Sequence, residues 1–298
     1  MNDTLRREKA KLKRSTEQKD TTSPPPAKPG RQTLADTDSV LIAGRHRQHK
    51  GFLTIGIPTV KRDQNATYLV TTLDSLINHT TEAERKQIVI VVFLADFDKD
   101  YNKNISLEIS RRYPQHLNTG FIQVIQAPRS FYPTFEELKR KFRDSLERIR
   151  WRSKQCVDYA FLFQYCRNMS EYYLQLEDDV ISAENFLSSI KTYLDRVRLD
   201  AWTALEFSEL GFIGKLFKSS DLQRLSGLFK LFYQELPVDI LLHTFIRIVQ
   251  PTWKKFKHKP SLFQHVGLHS SLRGKRQELI DKEFVDSNND TTKVQQPS

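Results

Sequence analysis

Cysteine, glycine and long apolar runs are scarce in this sequence, and each shortage excludes a class of protein. Two cysteines among 298 residues cannot form a disulfide framework. Ten glycines and 38% hydrophobic residues exclude a collagen, a fibre and a wholly disordered chain. No run approaches the roughly 18 apolar residues of a membrane-spanning helix, and no apolar signal-peptide core follows Met1. We therefore expect neither an anchor nor an export signal in this sequence.

The net charge of +11 raises the question of an anionic partner, such as a nucleic acid, a phosphate or a sugar nucleotide. The charge is uneven, because residues 1–50 contain 12 Lys and Arg against 6 Asp and Glu. Residues 1–48 are also proline-rich and too poor in apolar side chains to fold alone. We expect them to be a disordered tail or stem, followed by one domain over 49–284 and a second tail over 285–298. Because the basic charge is concentrated in the first tail, we expect no nucleic-acid partner.

Strands and helices alternate along the expected domain. Apolar runs predict strands at Phe52–Ile57, Ile88–Leu94, Phe121–Ile125, Tyr172–Leu176 and Trp202–Phe207. Helical spacing predicts helices around 69–77, 105–113, 135–167 with a break near Trp151, 183–197 and twice within 221–249. This alternation predicts an α/β fold with a single, mostly parallel sheet and helices on both faces. Ligands of such sheets bind beyond the carboxyl ends of the strands.

Polar residues follow the first of these strands. Thr59, Lys61 and Arg62 combine a hydroxyl with two cations, which suits a diphosphate or a nucleotide. The segment lacks the glycines of a P-loop or a dinucleotide fingerprint, so neither of those sites is predicted. A solvated turn is the alternative interpretation.

Three consecutive carboxylates, Glu177, Asp178 and Asp179, follow the strand that ends at Leu176. Clustered like charges repel one another unless a cation neutralises them, and Mg²⁺ or Mn²⁺ with oxygen ligands would do so while binding a diphosphate. The alternative is that Asp178 or Asp179 caps the following helix.

Two further segments contain candidate site residues. Glu206 lies near the end of the strand predicted at Trp202–Phe207 and could act as a general base, since its apolar neighbours favour partial desolvation. His265 and His269 flank Gly267, which predicts a turn in which at most one histidine faces the carboxylates; a structural histidine is the alternative. The run Glu147–Gln155 presents Arg and Lys side chains either to nucleotide phosphates or to solvent.

These segments closely resemble the N-acetylglucosaminyltransferase IV family, Golgi enzymes that add a β1,4-linked GlcNAc to the α1,3-mannose arm of N-glycans. The resemblance spans about residues 51–284 and is carried, in the family's order, by segments 56–62, 147–155, 175–179, 205–215 and 260–272. It implies a GT-A (Rossmann-like) fold, UDP-GlcNAc as the donor and an N-glycan as the acceptor.

The resemblance also implies roles for individual residues. The triplet is similar to the family's form of the Asp-x-Asp motif, with Asp179 as a Mn²⁺ ligand, His265 or His269 completing the metal shell, and Asp178 near the ribose. An inverting reaction needs a carboxylate that deprotonates the acceptor hydroxyl, and Glu206 is the candidate for this role from its position in the sequence rather than from the resemblance. The implied donor-binding residues are Thr59, Lys61, Arg62, Arg152, Glu177 and Asp178.

The sequence departs from the family pattern in three places. We expect neither the N-terminal anchor nor the long C-terminal lectin-like domain of typical members, and 237–243 lacks an expected Trp and a second acidic residue. These features resemble the short D-type paralogue, which is regarded as an inhibitor of N-acetylglucosaminyltransferase I. They imply a regulator of N-glycan branching with that transferase as a partner; the rival expectation is an active UDP-GlcNAc-dependent transferase.

By resemblance, the chain would act in the lumen of the Golgi, or between the endoplasmic reticulum and the Golgi. Six Asn-x-Ser/Thr sequons hint at a secretory ancestry, although a sequon in the cytosol is inert. They lie at Asn2, Asn65, Asn78, Asn104, Asn168 and Asn289.

Overall fold

The computed structural model describes residues 40–63 and 67–285. Most of the tail expected over 1–48, nearly all of that over 285–298, and the sequons at Asn2, Asn65 and Asn289 lie outside the described residues. Strand β1, Leu41–Ala43, pairs with a strand of the main sheet, so the described sheet begins ahead of residue 49.

Seven strands form the main sheet, in the order β1-β4-β3-β2-β5-β8-β7. The four central strands are mutually parallel, and β1, β8 and β7 pair antiparallel with their neighbours. Two further strands, β6 and β9, form a small antiparallel pair. After β1, the strands are β2 (Gly51–Thr59), β3 (Ile88–Leu94), β4 (Ile122–Ile125), β5 (Ser170–Gln175), β6 (Val180–Ser182), β7 (Leu205–Glu206), β8 (Lys215–Lys218) and β9 (Phe263–His265).

Helices cover both faces of this sheet. They are α1 (Leu69–Asn78), α2 (Glu82–Arg85), α3 (Lys99–Arg112), α4 (Pro114–Asn118), α5 (Leu146–Cys166), α6 (Phe186–Arg196), α7 (Leu222–Phe232) and α8 (Val238–Val249). Helices α1, α3 and α6 contribute to one buried apolar cluster, and α5, α7 and α8 to the other. The predicted α/β GT-A architecture is confirmed.

Strand β3 shows why the core has two halves. All seven of its residues are buried, and successive side chains point to opposite faces. Ile90 and Val92 therefore join the cluster under α1 and α3, whereas Val91 and Phe93 join the cluster under α5. A continuous apolar run in the sequence thus corresponds to a strand between two helical layers.

The chain reverses direction across the sheet at β2. Strands β3 and β4 extend the sheet to one side of β2, whereas β5 pairs with its other side. At such a switch point the two connections diverge and leave a crevice beyond the carboxyl ends of the strands. Thr59 ends β2, and Glu177 is the second residue after β5, so both exits open into this crevice.

The helix predicted over 135–167 is wrong in its start and in its break. Helix α5 begins at Leu146, where the Ser145 side chain accepts a hydrogen bond from the Arg148 backbone N–H, and it continues without interruption past Trp151. Phe142 and Arg143 adopt left-handed backbone conformations that end any helix upstream. The strand predicted at Trp202–Phe207 is shorter than expected, since only Leu205–Glu206 pairs.

Both cysteines lie buried on α5 and neither forms a disulfide, as the sequence predicts. No helix within residues 40–63 and 67–285 is long and apolar enough to cross a membrane.

Two glycine substitutions compare a tightly packed position in the sheet with an open position on a helix. Gly56 of β2 lies against Tyr173 of β5, whose hydroxyl donates to Gln175, and a methyl group at Gly56 would overlap that hydroxyl. Gly56→Ala should destabilise the protein by about 1–3 kcal/mol in urea unfolding. Gly227→Ala, in an open position on α7, should instead stabilise it by about 0.5–1 kcal/mol. Equal effects of the two changes would contradict this account of the packing.

Candidate functional site

An open cleft with a cavity volume of about 260 Å³ lies at the switch point. Its walls come from the exits of β2 and β5, the segment after β3, one side of α5, and the loop after β9. The lining residues are Pro58, Val60, Lys61, Arg62, Asp96, Phe97, Trp151, Lys154, Gln155, Asp158, Tyr159, Glu177, Asp178 and Ser271. We refer to it as the first cleft.

Arg62 and Thr59 hold the carboxylate of Asp178 at the edge of the first cleft. The Arg62 guanidinium donates from Nη1 to Oδ2 at 2.8 Å and from Nη2 to Oδ1 at 2.5 Å, and the Thr59 hydroxyl donates to Oδ2 at 2.5 Å. All three side chains are buried. Burial alone would lower the pKa of Arg62, but the charges of Asp178, Asp179 and Glu177 raise it overall, so the guanidinium is a permanent cation here. These hydrogen bonds from Arg62 and Thr59 to Asp178, which we call the fork, fix the exits of β2 and β5 relative to each other.

Glu177, Asp179 and His265 form a candidate metal centre. Their potential ligand atoms lie within 4.8 Å of one another, and His265 Nε2 lies 3.1 Å from Asp179 Oδ2. Asp179 Oδ2 also accepts from Arg62 at 3.0 Å, whereas the buried Oδ1 has no hydrogen-bond partner among the described residues. A buried carboxylate oxygen without a donor, next to a second carboxylate and an imidazole, fits a divalent cation such as Mn²⁺.

The electrostatics of this centre favour protons where a metal would otherwise bind. Burial and the charge of Asp179 raise the pKa of Glu177 to about 7. Burial opposes protonation of His265, but the hydrogen bond and the charge of Asp179 outweigh it and raise the pKa of that imidazole. A divalent cation would replace these protons and remove the repulsion between the carboxylates.

Backbone contacts from distant segments position the acidic residues. The Thr72 hydroxyl on α1 donates to the Asp178 carbonyl and accepts from the Val180 N–H, both at 2.9 Å. The Val266 N–H donates to the Asp179 carbonyl at 2.8 Å. Gly267 then passes so close to the Asp179 side chain that a Cβ there would overlap the carboxylate. Only glycine fits at this position without moving the candidate ligand.

One side of α5 forms the wall opposite the acidic residues. Trp151 donates from Nε1 to the Ser271 hydroxyl at 3.1 Å, which joins α5 to the loop after β9. Lys154 donates to Asp158 at 2.7 Å and to the Ala95 carbonyl, and Asp158 also accepts from the Tyr132 hydroxyl at 2.7 Å. An aromatic ring beside fixed polar groups suits a planar base, and the cations at the β2 exit suit phosphates.

The structure brings most of the sequence-predicted residues together. Thr59, Arg62, Asp178, Asp179 and His265 are in mutual contact through the fork and the candidate metal centre. Glu177 lines the first cleft and belongs to the metal centre. The Lys61 side chain lines the first cleft as well, where it donates to Asp98 at 3.0 Å.

Three predicted residues lie apart from this group. Arg152 is buried on α5, 3.4 Å from Asp144, and does not line the first cleft. Glu206 lies in a different cleft, where its carboxylate is 3.5 Å from Lys215 and 3.6 Å from Lys257. The His269 side chain does not belong to the metal centre, but its backbone N–H donates to the Tyr68 hydroxyl.

The sequence gives no signal for several residues that shape the site. Thr72 is one polar residue in an amphipathic helix, and its double contact with the 178–180 backbone is visible only in three dimensions. Tyr68 accepts hydrogen bonds from two consecutive N–H groups, of Leu268 and His269, while its ring lies 5.3 Å from the Arg62 guanidinium. Gly267 suggested a turn, but not contact with Asp179.

Most of the chain matches a known protein family. Residues 18–284 match the family model described as the MGAT4 conserved region. The chain belongs to the N-acetylglucosaminyltransferase IV family. The expected membership is thereby confirmed.

Named relatives of this N-acetylglucosaminyltransferase IV family chain are longer than it is. An alpha-1,6-mannosyl-glycoprotein 4-beta-N-acetylglucosaminyltransferase of Gallus gallus is 45% identical over 260 residues, covering 84% of this chain and 56% of that protein. The alpha-1,3-mannosyl-glycoprotein 4-beta-N-acetylglucosaminyltransferase A of Bos taurus is 41% identical, covering 78% and 46%, and the C enzyme of Sus scrofa is 43% identical, covering 80% and 49%. The chain spans about half the length of these relatives.

The similarity to solved structures is weaker than the similarity to these relatives. TarS of S. aureus, determined in complex with UDP-GlcNAc, superposes with a TM-score of 0.35 at 12% identity, covering 61% of this chain and 53% of that one. The 4-diphosphocytidyl-2C-methyl-D-erythritol synthase of Anaerococcus prevotii gives 0.39 at 13%, covering 70% and 86%. Scores this low add nothing to the family assignment.

The raised pKa of Glu177 predicts how the stability of the metal-free protein depends on pH. The folded state holds a proton on Glu177 up to about pH 7, whereas the unfolded chain releases it near the ordinary glutamate pKa of 4.5, so the free energy of unfolding should fall as the pH rises between these two values. Glu177→Gln should remove this loss and stabilise the metal-free protein at pH 8 by about 2 kcal/mol. Urea unfolding in EDTA at pH 5 and pH 8 measures the difference.

Glu184→Gln, at an exposed position after β6, is the matched control for the loss of one carboxylate and should change stability little at either pH. If Glu177→Gln has the same small effect at pH 8 as at pH 5, the carboxylate cluster is not under the repulsion described here.

Proposed function

We propose that this chain binds UDP-GlcNAc with a divalent cation in the first cleft, and that it acts in N-glycan branching mainly as a regulator. Its expected partner is N-acetylglucosaminyltransferase I, as in the D-type paralogue that the sequence resembles. The regulatory role is supported by one observation: no carboxylate among the described residues that line the first cleft is free to act as a base. Donor binding is supported separately by the candidate metal centre.

Donor binding follows from the chemistry of the two strand exits. Glu177, Asp179 and His265 would hold Mn²⁺, which when bound would neutralise the diphosphate of the donor. The Lys61 ammonium is half exposed at the mouth of the first cleft and adds positive charge beside the phosphates. The indole of Trp151, on the opposite wall, offers an apolar face for the uracil or the sugar.

The regulatory role is supported by the lack of a free base beside the donor. An inverting transfer needs a carboxylate that can take the proton of the acceptor hydroxyl. Among the described residues that line the first cleft, Asp96, Asp158 and Asp178 each accept hydrogen bonds on both oxygens. Glu177 is a candidate metal ligand. Glu206, the candidate base chosen from the sequence, is paired with two lysines in another cleft.

The alternative is an active inverting UDP-GlcNAc-dependent transferase that acts on the α1,3-mannose arm of N-glycans. The candidate metal centre is compatible with it, because an active transferase also needs a cation to neutralise the diphosphate of the donor. Glu206 would then have to leave Lys215 and Lys257 and approach the acceptor hydroxyl. The two proposals share the donor site and differ in turnover.

We further propose that the chain acts in the lumen of the Golgi or between the endoplasmic reticulum and the Golgi. The three sequon asparagines in the described residues, Asn78, Asn104 and Asn168, are all exposed, as a glycosylated asparagine must be. Use of these sequons would place the chain in the secretory pathway.

Calorimetry on the full chain tests donor binding. UDP-GlcNAc should bind in the presence of Mn²⁺ and bind at least tenfold more weakly in EDTA, because the carboxylates repel the diphosphate without the cation. Asp179→Ala should abolish the effect of Mn²⁺. Gly267→Ala should also weaken it, although every candidate ligand remains, because the added methyl displaces the Asp179 carboxylate.

Glu209→Ala, an exposed carboxylate outside the first cleft, serves as the control and should bind the donor with unchanged affinity. Binding that is equal with and without Mn²⁺ would overturn the metal centre. Turnover is then measured as UDP release with a biantennary N-glycan acceptor: binding without release supports the regulator, and acceptor-dependent release establishes the active transferase instead.

Co-expression tests the protein partner. The full chain should co-purify with N-acetylglucosaminyltransferase I and lower its activity, and Asp179→Ala should do so equally well, since the proposed regulation does not use turnover. An unrelated Golgi transferase expressed at the same level is the control. Failure to co-purify, or equal co-purification with the control transferase, would contradict this partner.

A further inference from the structure

A second cleft lies between β7, the end of α8 and the segment that follows α8. Its cavity volume is about 490 Å³, and no described residue lines both clefts. Ala204, Ile246 and Phe256 contribute apolar surface to it, and Glu206, His243 and Arg247 contribute polar groups.

Trp253 is the most unusual residue of the second cleft. Its side chain is 80% exposed, although it sits in a tightly held turn. The Gln250 amide fixes this turn: Oε1 accepts from the Thr203 N–H at 3.1 Å, and Nε2 donates to the Thr252 and Lys254 carbonyls at 2.8 and 2.7 Å. An indole held in water by three hydrogen bonds from a buried side chain is presented for contact, since an isolated apolar surface residue needs no such support.

Arg247 adds donors to this aromatic wall. Its guanidinium lies 5.0 Å from the centre of the Trp253 ring, and it forms no hydrogen bond or ion pair with any residue of 40–63 or 67–285 that the structure records. By contrast, Lys254 on the same turn is committed to Asp200, at 3.0 and 3.1 Å. The guanidinium therefore covers one face of the Trp253 ring, and the cleft offers the exposed remainder of the indole together with N–H donors that have no hydrogen-bond partner among the described residues.

Glu206 supplies acceptors to the same cleft. Its backbone is fixed on both sides, because its N–H donates to the Phe256 carbonyl and its carbonyl accepts from the His258 N–H, at 2.8 and 2.9 Å. Lys215 and Lys257 approach the same carboxylate oxygen, Oε2, at 3.5 and 3.6 Å, and Oε1 forms no ion pair within residues 40–63 and 67–285, so Oε1 keeps its capacity to accept a hydrogen bond. Hydrogen-bond acceptors and donors are thus both present in the cleft.

We propose that the second cleft binds carbohydrate, with a pyranose ring stacked on Trp253 and its hydroxyl groups bonded to Arg247 and Glu206. A sugar ring has an apolar C–H face and hydroxyls that both donate and accept, which this combination of groups matches. An apolar peptide would leave the Arg247 donors and the Glu206 carboxylate desolvated without partners. The site works without donor or metal, and it depends on the proposed function only for the choice of an N-glycan as the probe.

Titration of the full chain with a biantennary, GlcNAc-terminated N-glycan, in EDTA and without nucleotide, tests the proposal. The glycan should bind and quench or shift the fluorescence of the exposed indole. Trp253→Ala should weaken binding roughly tenfold and Trp253→Phe by less, because a smaller aromatic ring still stacks. Arg247→Ala should weaken binding as well.

Ile248→Ala is the matched control, since Ile248 is also an exposed apolar residue near the end of α8, but does not line the cleft. It should leave binding unchanged, and all variants should melt like the parent. Asp179→Ala should also bind the glycan normally, which separates this site from the donor site. The proposal is overturned if no glycan binds, or if Trp253→Ala binds as tightly as the parent.

Discussion

Neutralisation of three consecutive carboxylates is the constraint on which this structure depends. Glu177, Asp178 and Asp179 follow a buried strand directly, so their charges cannot all turn into solvent. The Arg62 guanidinium donates hydrogen bonds to Asp178 and Asp179. The His265 imidazole also approaches Asp179, from a segment more than 80 residues further along the chain. The β2 exit, the β5 exit and the loop after β9 are held together because each contributes a charge or a backbone group to this cluster.

The compensation is incomplete, and the remainder explains the chemistry of the site. Asp178 is fully paired, so it acts as a fixed part of the frame. Asp179 keeps one buried oxygen without a donor, and Glu177 is pushed towards protonation. A frame that satisfies one carboxylate and leaves the other two in excess creates demand for a cation at one place. Structure and ligand affinity therefore have a common electrostatic origin.

Sequence patterns predicted the layers and the strand exits better than the positions of single side chains. Buried strands such as Ile88–Leu94 are recognisable from their continuous apolar runs. The acidic triplet is recognisable as a candidate site because it comes after such a strand. The role of Thr72 and the distance of Glu206 from the first cleft depend on contacts between residues far apart in the chain, which periodicity does not encode. The sequence does not indicate that the helix begins only after Ser145, because 135–145 has a helical composition. Its backbone nevertheless adopts left-handed conformations at Phe142 and Arg143.

The pairing of β6 with β9 has a consequence for when the site can form during synthesis. Val180 of β6, adjacent to Asp179, pairs with His265 at the end of β9. The parallel strands β2 to β5 are complete once residue 175 has left the ribosome, but the histidine ligand is translated about 90 residues later. A nascent chain therefore contains the four parallel strands and the acidic triplet before His265 has been synthesised. The candidate metal centre is complete only once β9 has paired with β6, so its assembly follows the docking of the C-terminal segment.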